Sequence, residues 1–257
     1  MYFFDISHNT FSENDSTIVI SQVWTNEEID YTNTKIHHNN FTNSDNPIRI
    51  KQFWPNEYDG IGAESNIHHN TFYNSKDAIH YVKMDGISEV WNNSFLQGSQ
   101  WAIYAREQCT GMFEAINNIV ISFHNGLTIT GNEFVYNYFS DMTADNWSSG
   151  IDPSNIIGND GDPIFIDPPY NFHLLPASVC IDTGKPDVDG DGIDFDGLDN
   201  ILGNADDDLD DQDPDGTRMD LGAFYFIAIP TLEIIGDVGQ HPTISWNEIS
   251  FANGSIP

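Results

Sequence analysis

Positive charge is scarce in this 257-residue chain: 8 Lys and Arg stand against 40 Asp and Glu, a formal net charge of −32. A surface of that sign repels phosphate backbones, which excludes nucleic acid as an electrostatic partner. The balance suits an extracellular, calcium-bearing or salt-adapted protein. Cysteine is nearly absent as well. Cys109 and Cys180 are too few for a disulfide framework, and the sequence leaves open whether they pair. No apolar run is long enough to suggest a membrane span. The opening Met1-Tyr2-Phe3-Phe4 also lacks the basic stretch and cleavage site of an export signal. Since the chain is already inside a repeat unit by Ile6, we expect an amino terminus cut from something longer, with a missing cap that covers the open sheet edge.

What the chain does contain is repetition. Ile36-His37-His38-Asn39-Asn40-Phe41 returns as Ile67-His68-His69-Asn70-Thr71-Phe72, and each is followed by a short alternating run, Ile48-Arg49-Ile50-Lys51 and Ile79-His80-Tyr81-Val82. Further copies begin at Ile6, Val90 and Ile116, with a weaker one at Val135. The asparagines common to them, Asn9, Asn39, Asn70, Asn93, Asn118 and Asn137, are 30, 31, 23, 25 and 19 residues apart. Constant strand motifs at variable spacing predict stacked β coils with loops of different length. The expected fold is all-β, a right-handed parallel β-helix of about six coils over 1–145, because no single coil buries its apolar face without neighbours above and below. The recurrent asparagine is expected to form an interior ladder of side-chain amides at a bend, which would satisfy polar groups that are otherwise buried unpaired.

Three side-chain patterns ride on this scaffold. Gln22-Val23-Trp24-Thr25-Asn26-Glu27 and Gln52-Phe53-Trp54-Pro55-Asn56-Glu57 match at a 30-residue offset; Trp24 and Trp54 either stack on sugar rings or fill space between loops. His8, His38 and His69, with His37 and His68 beside two of them, either hold a metal or form a structural column. The third pattern is a basic face. If Ile48 and Ile50 point inward, Arg49 and Lys51 point outward, with His80, Lys83, Tyr104 and Arg106 in the following coils. Four of the eight basic residues thus fall on or beside one face.

Such a row can hold the carboxylates of an acidic sugar chain. It also has the parts for β-elimination of a uronate: Lys51 as the base, Arg106 or Tyr104 as the acid, Arg49 and His80 as binders, Lys83 at the edge. The bland alternative is surface pairing with Glu107, Asp85 or Asp77. A glycoside hydrolase would need paired carboxylates, and the outward positions after each asparagine offer none before Glu107.

From about Ser140 the coil pattern fades. Gly161-Asp162-Pro163-Ile164-Phe165-Ile166-Asp167-Pro168, Phe172 through Gly184 (with Ser178-Val179-Cys180-Ile181-Asp182-Thr183-Gly184) and Asp220-Leu221-Gly222-Ala223-Phe224-Tyr225 follow in order. Together they resemble the "DPxF", "hLxxxSPxIDxG" and "DxGAxE" closing segment of secreted bacterial right-handed parallel β-helix repeat proteins of the pectate-lyase-like superfamily. Val179 replaces the usual proline and Tyr225 the usual glutamate. The resemblance implies architecture and export; it is nearly silent on activity, since that family mixes lyases, hydrolases and surface proteins.

Within this segment, 146–228, residues 187–220 hold 14 aspartates. Asp187, Asp189, Asp191, Asp194 and Asp199 alternate with glycines in a way that suits a loop wrapped round a structural calcium ion. The EF-hand glutamate is missing, and a solvated acidic loop is the alternative. After Ile229-Pro230, read as a linker opening the stretch 229–257, Thr243-Ile244-Ser245-Trp246-Asn247 resembles the first tryptophan strand of fibronectin type III domains. It could instead cap the coils. The expectation is therefore an extracellular or cell-surface, carbohydrate-active β-helix, monomeric within a larger modular protein, which binds acidic polysaccharide and cleaves it as a lyase. A non-catalytic scaffold and a hydrolase are the alternatives.

Overall fold

Residues that tolerate a left-handed backbone recur in pairs along the chain, and they set its shape. His8, His38, His69, Asn92, Asn117 and Tyr136 have positive φ, and so do Glu13, Asn43, Asn74, Gln97, Ser122 and Asp141, each five residues later, all between 49° and 58°. His and Asn are among the side chains that enter this region most readily. Two such corners per repeat divide it into three short strands. The computed structural model describes residues 2–23, 32–53, 64–84, 86–106, 109, 111–127, 133–143, 152–159, 161–162, 164–188, 190–197, 201–205, 207–226, 232–235 and 243–246.

The first repeat contributes β1 (Tyr2–Ser7), β2 (Thr10–Ser12) and β3 (Ser16–Val23). The second adds β4 (Thr32–His37), β5 (Asn40–Thr42) and β6 (Asn46–Phe53), and the third β7 (Glu64–His68), β8 (Thr71–Tyr73) and β9 (Asp77–Met84). Then come β10 (Ile87–Trp91), β11 (Ser94–Ala105), β12 (Met112–Ile116), β13 (Ile119–Leu127), β14 (Glu133–Val135), β15 (Tyr138–Ser140) and β16 (Ile156–Ile157). One sheet runs β1-β4-β7-β10-β12-β14; the other runs β2-β5-β8-β11-β13-β15-β16, with β3, β6 and β9 joined to β11. Every pairing in these two sheets is parallel. The fold is all-β, and each return of the chain lies on the one before.

In-register pairing turns the repeat's apolar positions into columns. Ile36, Ile67 and Val90 stand one above another, as do Ile48, Ile79 and Ile103, all buried. Phe11, Phe41, Phe72 and Phe95 stack with ring centroids 5.1, 5.0 and 4.8 Å apart. Burying one such ring stabilises by about 1.5–3 kcal/mol. The asparagine ladder is present as expected. Asn39 Oδ1 accepts from the backbone N of Asn9 at 3.0 Å and from its Nδ2 at 3.1 Å, and the same pair of bonds links Asn39 to Asn70, Asn93, Asn118 and Asn137 in turn. A seventh rung, Asn155, receives Asn137 at 2.9 and 3.0 Å, so the stack continues to β16.

The closing segment lies along the flank of this stack. Its hairpin, β17 (Phe165–Asp167) with β18 (Asn171–Leu174), brings Phe165, Phe172 and Leu174 into one apolar cluster with Cys180 and Leu221 and with Leu96, Ile119 and Tyr138 of the coils. Gly222 makes the closest approach. Its N–H donates to Asn117 O at 2.8 Å, its φ is +89°, and a Cβ there would meet Ile119 Cδ1 and Ser94 Oγ at 2.7 Å, so only glycine fits. Cys109 and Cys180 are both free thiols, and burial pushes that of Cys180 up to about 12. Further on, β19 (Leu232–Ile235) pairs antiparallel with β20 (Thr243–Trp246), the strand expected to start a fibronectin-like module. Among the described residues no helix is long and apolar enough to cross a membrane.

Candidate functional site

Alternation in the third strand of each repeat decides what the basic face becomes. Ile50, Tyr81 and Ala105 point into the core, so Arg49, His80 and Tyr104 point out, and the pairing aligns Val19, Arg49, His80 and Tyr104 in one row across four coils. Neighbours in such a row are about 4.8 Å apart. Arg49 and Arg106 are exposed, Lys51 and Tyr104 half-buried, and His80 only 7% exposed beneath them. The His80 ring lies 4.9 Å from that of Tyr104, which stacks on Trp101 at 5.8 Å.

His80 is the electrostatic centre of the row. Its Nδ1 is 3.4 Å from Asn46 Oδ1, and its Nε2 is buried with no hydrogen-bond partner. Burial first, then the Arg106 and Arg49 guanidiniums, lower its pKa to about 4, so it is neutral at pH 7. Among the described residues no carboxylate pairs with Arg49 or Arg106. Asp77 is buried and accepts from the Trp101 backbone at 3.3 Å; Asp85 and Glu107 lie outside the described residues. A bulge after Ile50 sets Lys51 beside Lys83, whose side chain lies outside the described set, as do Trp24 and Trp54 entirely.

The opposite face carries a feature that sequence reasoning passed over. Outward positions of the first sheet align Lys35, Asn66, Glu89 and Glu114. Glu89 accepts from Asn66 Nδ2 at 2.8 Å, and burial, then Glu114 and Glu64, raise its pKa. Glu89, Glu114 and Trp91 line a cleft closed by Val188 of the acidic segment. The signal lies in the sequence four residues before the ladder asparagines, on the strand that precedes them rather than the one that follows.

The histidines form a column rather than a chelate. His8, His38 and His69 stack at 5.1 and 5.0 Å, and His37, His68 and Trp91 at 4.8 and 4.4 Å. His69 ends in a 2.9 Å bond to the Tyr225 hydroxyl. Burial is the chief reason that His68 and His69 both fall to about 3, with neighbouring imidazoles adding to it.

Of the five aspartates expected to hold calcium, Asp189 and Asp199 lie outside the described residues. Asp187 accepts from the backbone amides of Gly190 and Gly192 at 2.6 and 3.0 Å, Asp191 accepts from Ile193 at 2.7 Å, and Asp194 is half-buried. The loop is thus folded on its own amides. Among the described residues the group that could hold a metal is Asp182, Asp213 and Asp220, with ligand oxygens within 4.8 Å of one another. Burial pushes Asp213 up to about 9 and Asp220 to about 6, with nearby aspartates adding to both. The chain matches no protein-family model, no curated protein and no solved structure with which it was compared.

Proposed function

We propose that the chain is an extracellular right-handed parallel β-helix whose basic face binds acidic, uronate-containing polysaccharide and cleaves it by β-elimination. The observation that carries this is the row Arg49, His80, Tyr104 with Arg106 beside it, an island of cations in a chain of net charge −32, above a buried imidazole nitrogen that lacks a partner. The guanidiniums neutralise a uronate carboxylate, which makes its C5 proton acidic. Lys51 takes that proton, the C4–O bond breaks, a C4=C5 double bond forms, and Tyr104 or Arg106 supplies a proton to the leaving oxygen. Arg49 and the neutral His80 hold the carboxylate and a hydroxyl, and Trp101 stacked on Tyr104 provides a flat apolar wall for a sugar ring.

The test is the ultraviolet absorbance of an unsaturated uronate when the protein is incubated with alginate, pectate or chondroitin, with calcium present and then chelated. A rise with one polymer that Lys51→Ala abolishes supports elimination. No rise with any of them, together with gel retardation by these polymers that is unchanged when Arg49 and Arg106 are replaced, overturns both binding and catalysis on this face and leaves a scaffold. A second reading, hydrolysis, is favoured by the register of Glu89 with Glu114, because a carboxyl whose pKa is raised by burial beside a second carboxylate is what glycoside hydrolysis uses. It predicts new reducing ends without the double bond.

A further inference from the structure

We propose that Asp182, Asp213 and Asp220 form a binding site for a hard divalent cation of calcium's class, which fastens the closing segment to the flank of the coils. Asp182 lies 31 residues before Asp213, and Asp220 seven after it, and the three offer oxygens within 4.8 Å of one another. That is the span two ligands cover when each lies about 2.4 Å from one ion. An all-oxygen set of three carboxyl groups, which a bound cation holds deprotonated, selects a hard cation over zinc or copper.

Burial separates this group from the many solvated aspartates around it. Asp220 is 1% exposed and Asp213 5%, and Asp213 Oδ2 has no hydrogen-bond partner. From the coils, fully buried Asn92 donates its Nδ2 to the Asp220 carbonyl at 3.3 Å, which ties this group to the stack. Buried acceptors facing no donor are what a cation site shows when its ion is taken away. The geometry is also held in advance. Asp220 accepts from the backbone amides of Asp182 and Phe226 at 2.8 and 2.5 Å, and the Thr217 hydroxyl donates to Asp182. The Asp187 loop, by contrast, spends its carboxylates on its own glycine amides.

The site sits where the closing segment docks. Two residues past Asp220, Gly222 bonds to Asn117, and five past it Tyr225 bonds to His69. An ion that binds only the docked arrangement stabilises it by mass action. These residues are distinct from the basic face, so the site stands whatever becomes of the polysaccharide reading.

The experiment is calcium titration of the chelator-stripped full chain by calorimetry, with a thermal melt in parallel. Wild type is expected to bind one calcium and melt higher. Asp213→Asn and Asp182→Asn are each expected to weaken binding by at least the about 10–100-fold seen for outer-shell partners of metal sites, and to lose the calcium-dependent rise. Asp187→Asn and Asp191→Asn should bind as wild type does. Because Asp182 is exposed, an unchanged metal-free circular dichroism spectrum of Asp182→Asn separates lost binding from lost folding. Wild-type affinity in both Asp182→Asn and Asp213→Asn, binding that disappears with Asp187 or Asp191 instead, or no calcium bound at millimolar concentration would each overturn the site.

Discussion

Replacing Asn70 by alanine removes the middle of the ladder, and its cost can be worked out bond by bond. Asn70 Oδ1 accepts from Asn39 N at 3.0 Å and from Asn39 Nδ2 at 3.1 Å, while its own Nδ2 donates to Ile36 O at 2.8 Å, His68 O at 2.9 Å and Asn93 Oδ1 at 3.1 Å. The residue is fully buried, so water cannot replace it. Alanine strands the Asn39 amide outright, at about 1–3 kcal/mol for an unsatisfied buried donor. The two backbone carbonyls lose one partner each, at about 0.5–1.5 kcal/mol per bond. A small cavity adds to this, giving a total of about 3–5 kcal/mol. At the edge, Asn9 is exposed, and its removal leaves Asn39 Oδ1 with its backbone donor, so Asn9→Ala should cost under about 1 kcal/mol. Urea denaturation followed by far-ultraviolet circular dichroism measures both. Equal costs for the two, or less than about 1 kcal/mol for Asn70→Ala, would refute the ladder as a source of stability.

Three further outcomes follow from the geometry. His68 and His69 titrate near 3 in the folded chain against 6.5 in the unfolded one. Below pH 6.5 the unfolded state therefore takes protons that the folded state refuses, and stability is lost as pH falls towards 3, at up to about 1.4 kcal/mol per unit for buried His69 and less for the more exposed His68. Asp213 and Asp220, raised in the fold, act in the opposite sense, so the test is the difference in slope between wild type and His69→Gln. Arg106→Ala should raise the His80 pKa from about 4, since that guanidinium is the largest charge acting on it, and Arg49→Ala should do so less; proton NMR titration reads both. Gly222→Ala, which drives a Cβ into Ile119 and Ser94, should release the closing segment to limited proteolysis while the coils keep their strand signal.

Much of the scaffold was legible because columns write themselves into sequence. A residue that must meet its own copy one coil away is repeated, and Asn9 to Asn137, the phenylalanines and the paired histidines were all found that way. Asn155 escaped because its rung lies past Ser140, where the strand motifs that mark the earlier repeats fade from the sequence. The basic row was read from alternation alone; the strand register sets Arg49 beside His80 and His80 beside Tyr104. The bulge after Ile50 was not readable, since nothing in Val82 or Lys83 marks it. Least visible was the course of the closing segment. Its contacts join residues such as His69 and Tyr225, 156 positions apart, which occur once and so leave no repeat to notice. Composition drew the calcium expectation to the dense Asp187–Asp199 run, but density says little about burial.

The ladder also has a direction. Every side-chain amide from Asn9 to Asn137 donates forward to the next coil, and each after Asn9 accepts from the one behind. Each bond polarises the next in the same sense, as cooperative chains of hydrogen bonds do, so the stack behaves as a wire with a donor end and an acceptor end rather than as a set of equivalent rungs. Two such wires cannot be continued face to face, because like ends meet. They can be joined only head to tail, which makes an end-on association that continues the ladder heterologous, able to propagate and unable to close on itself as a symmetric pair does.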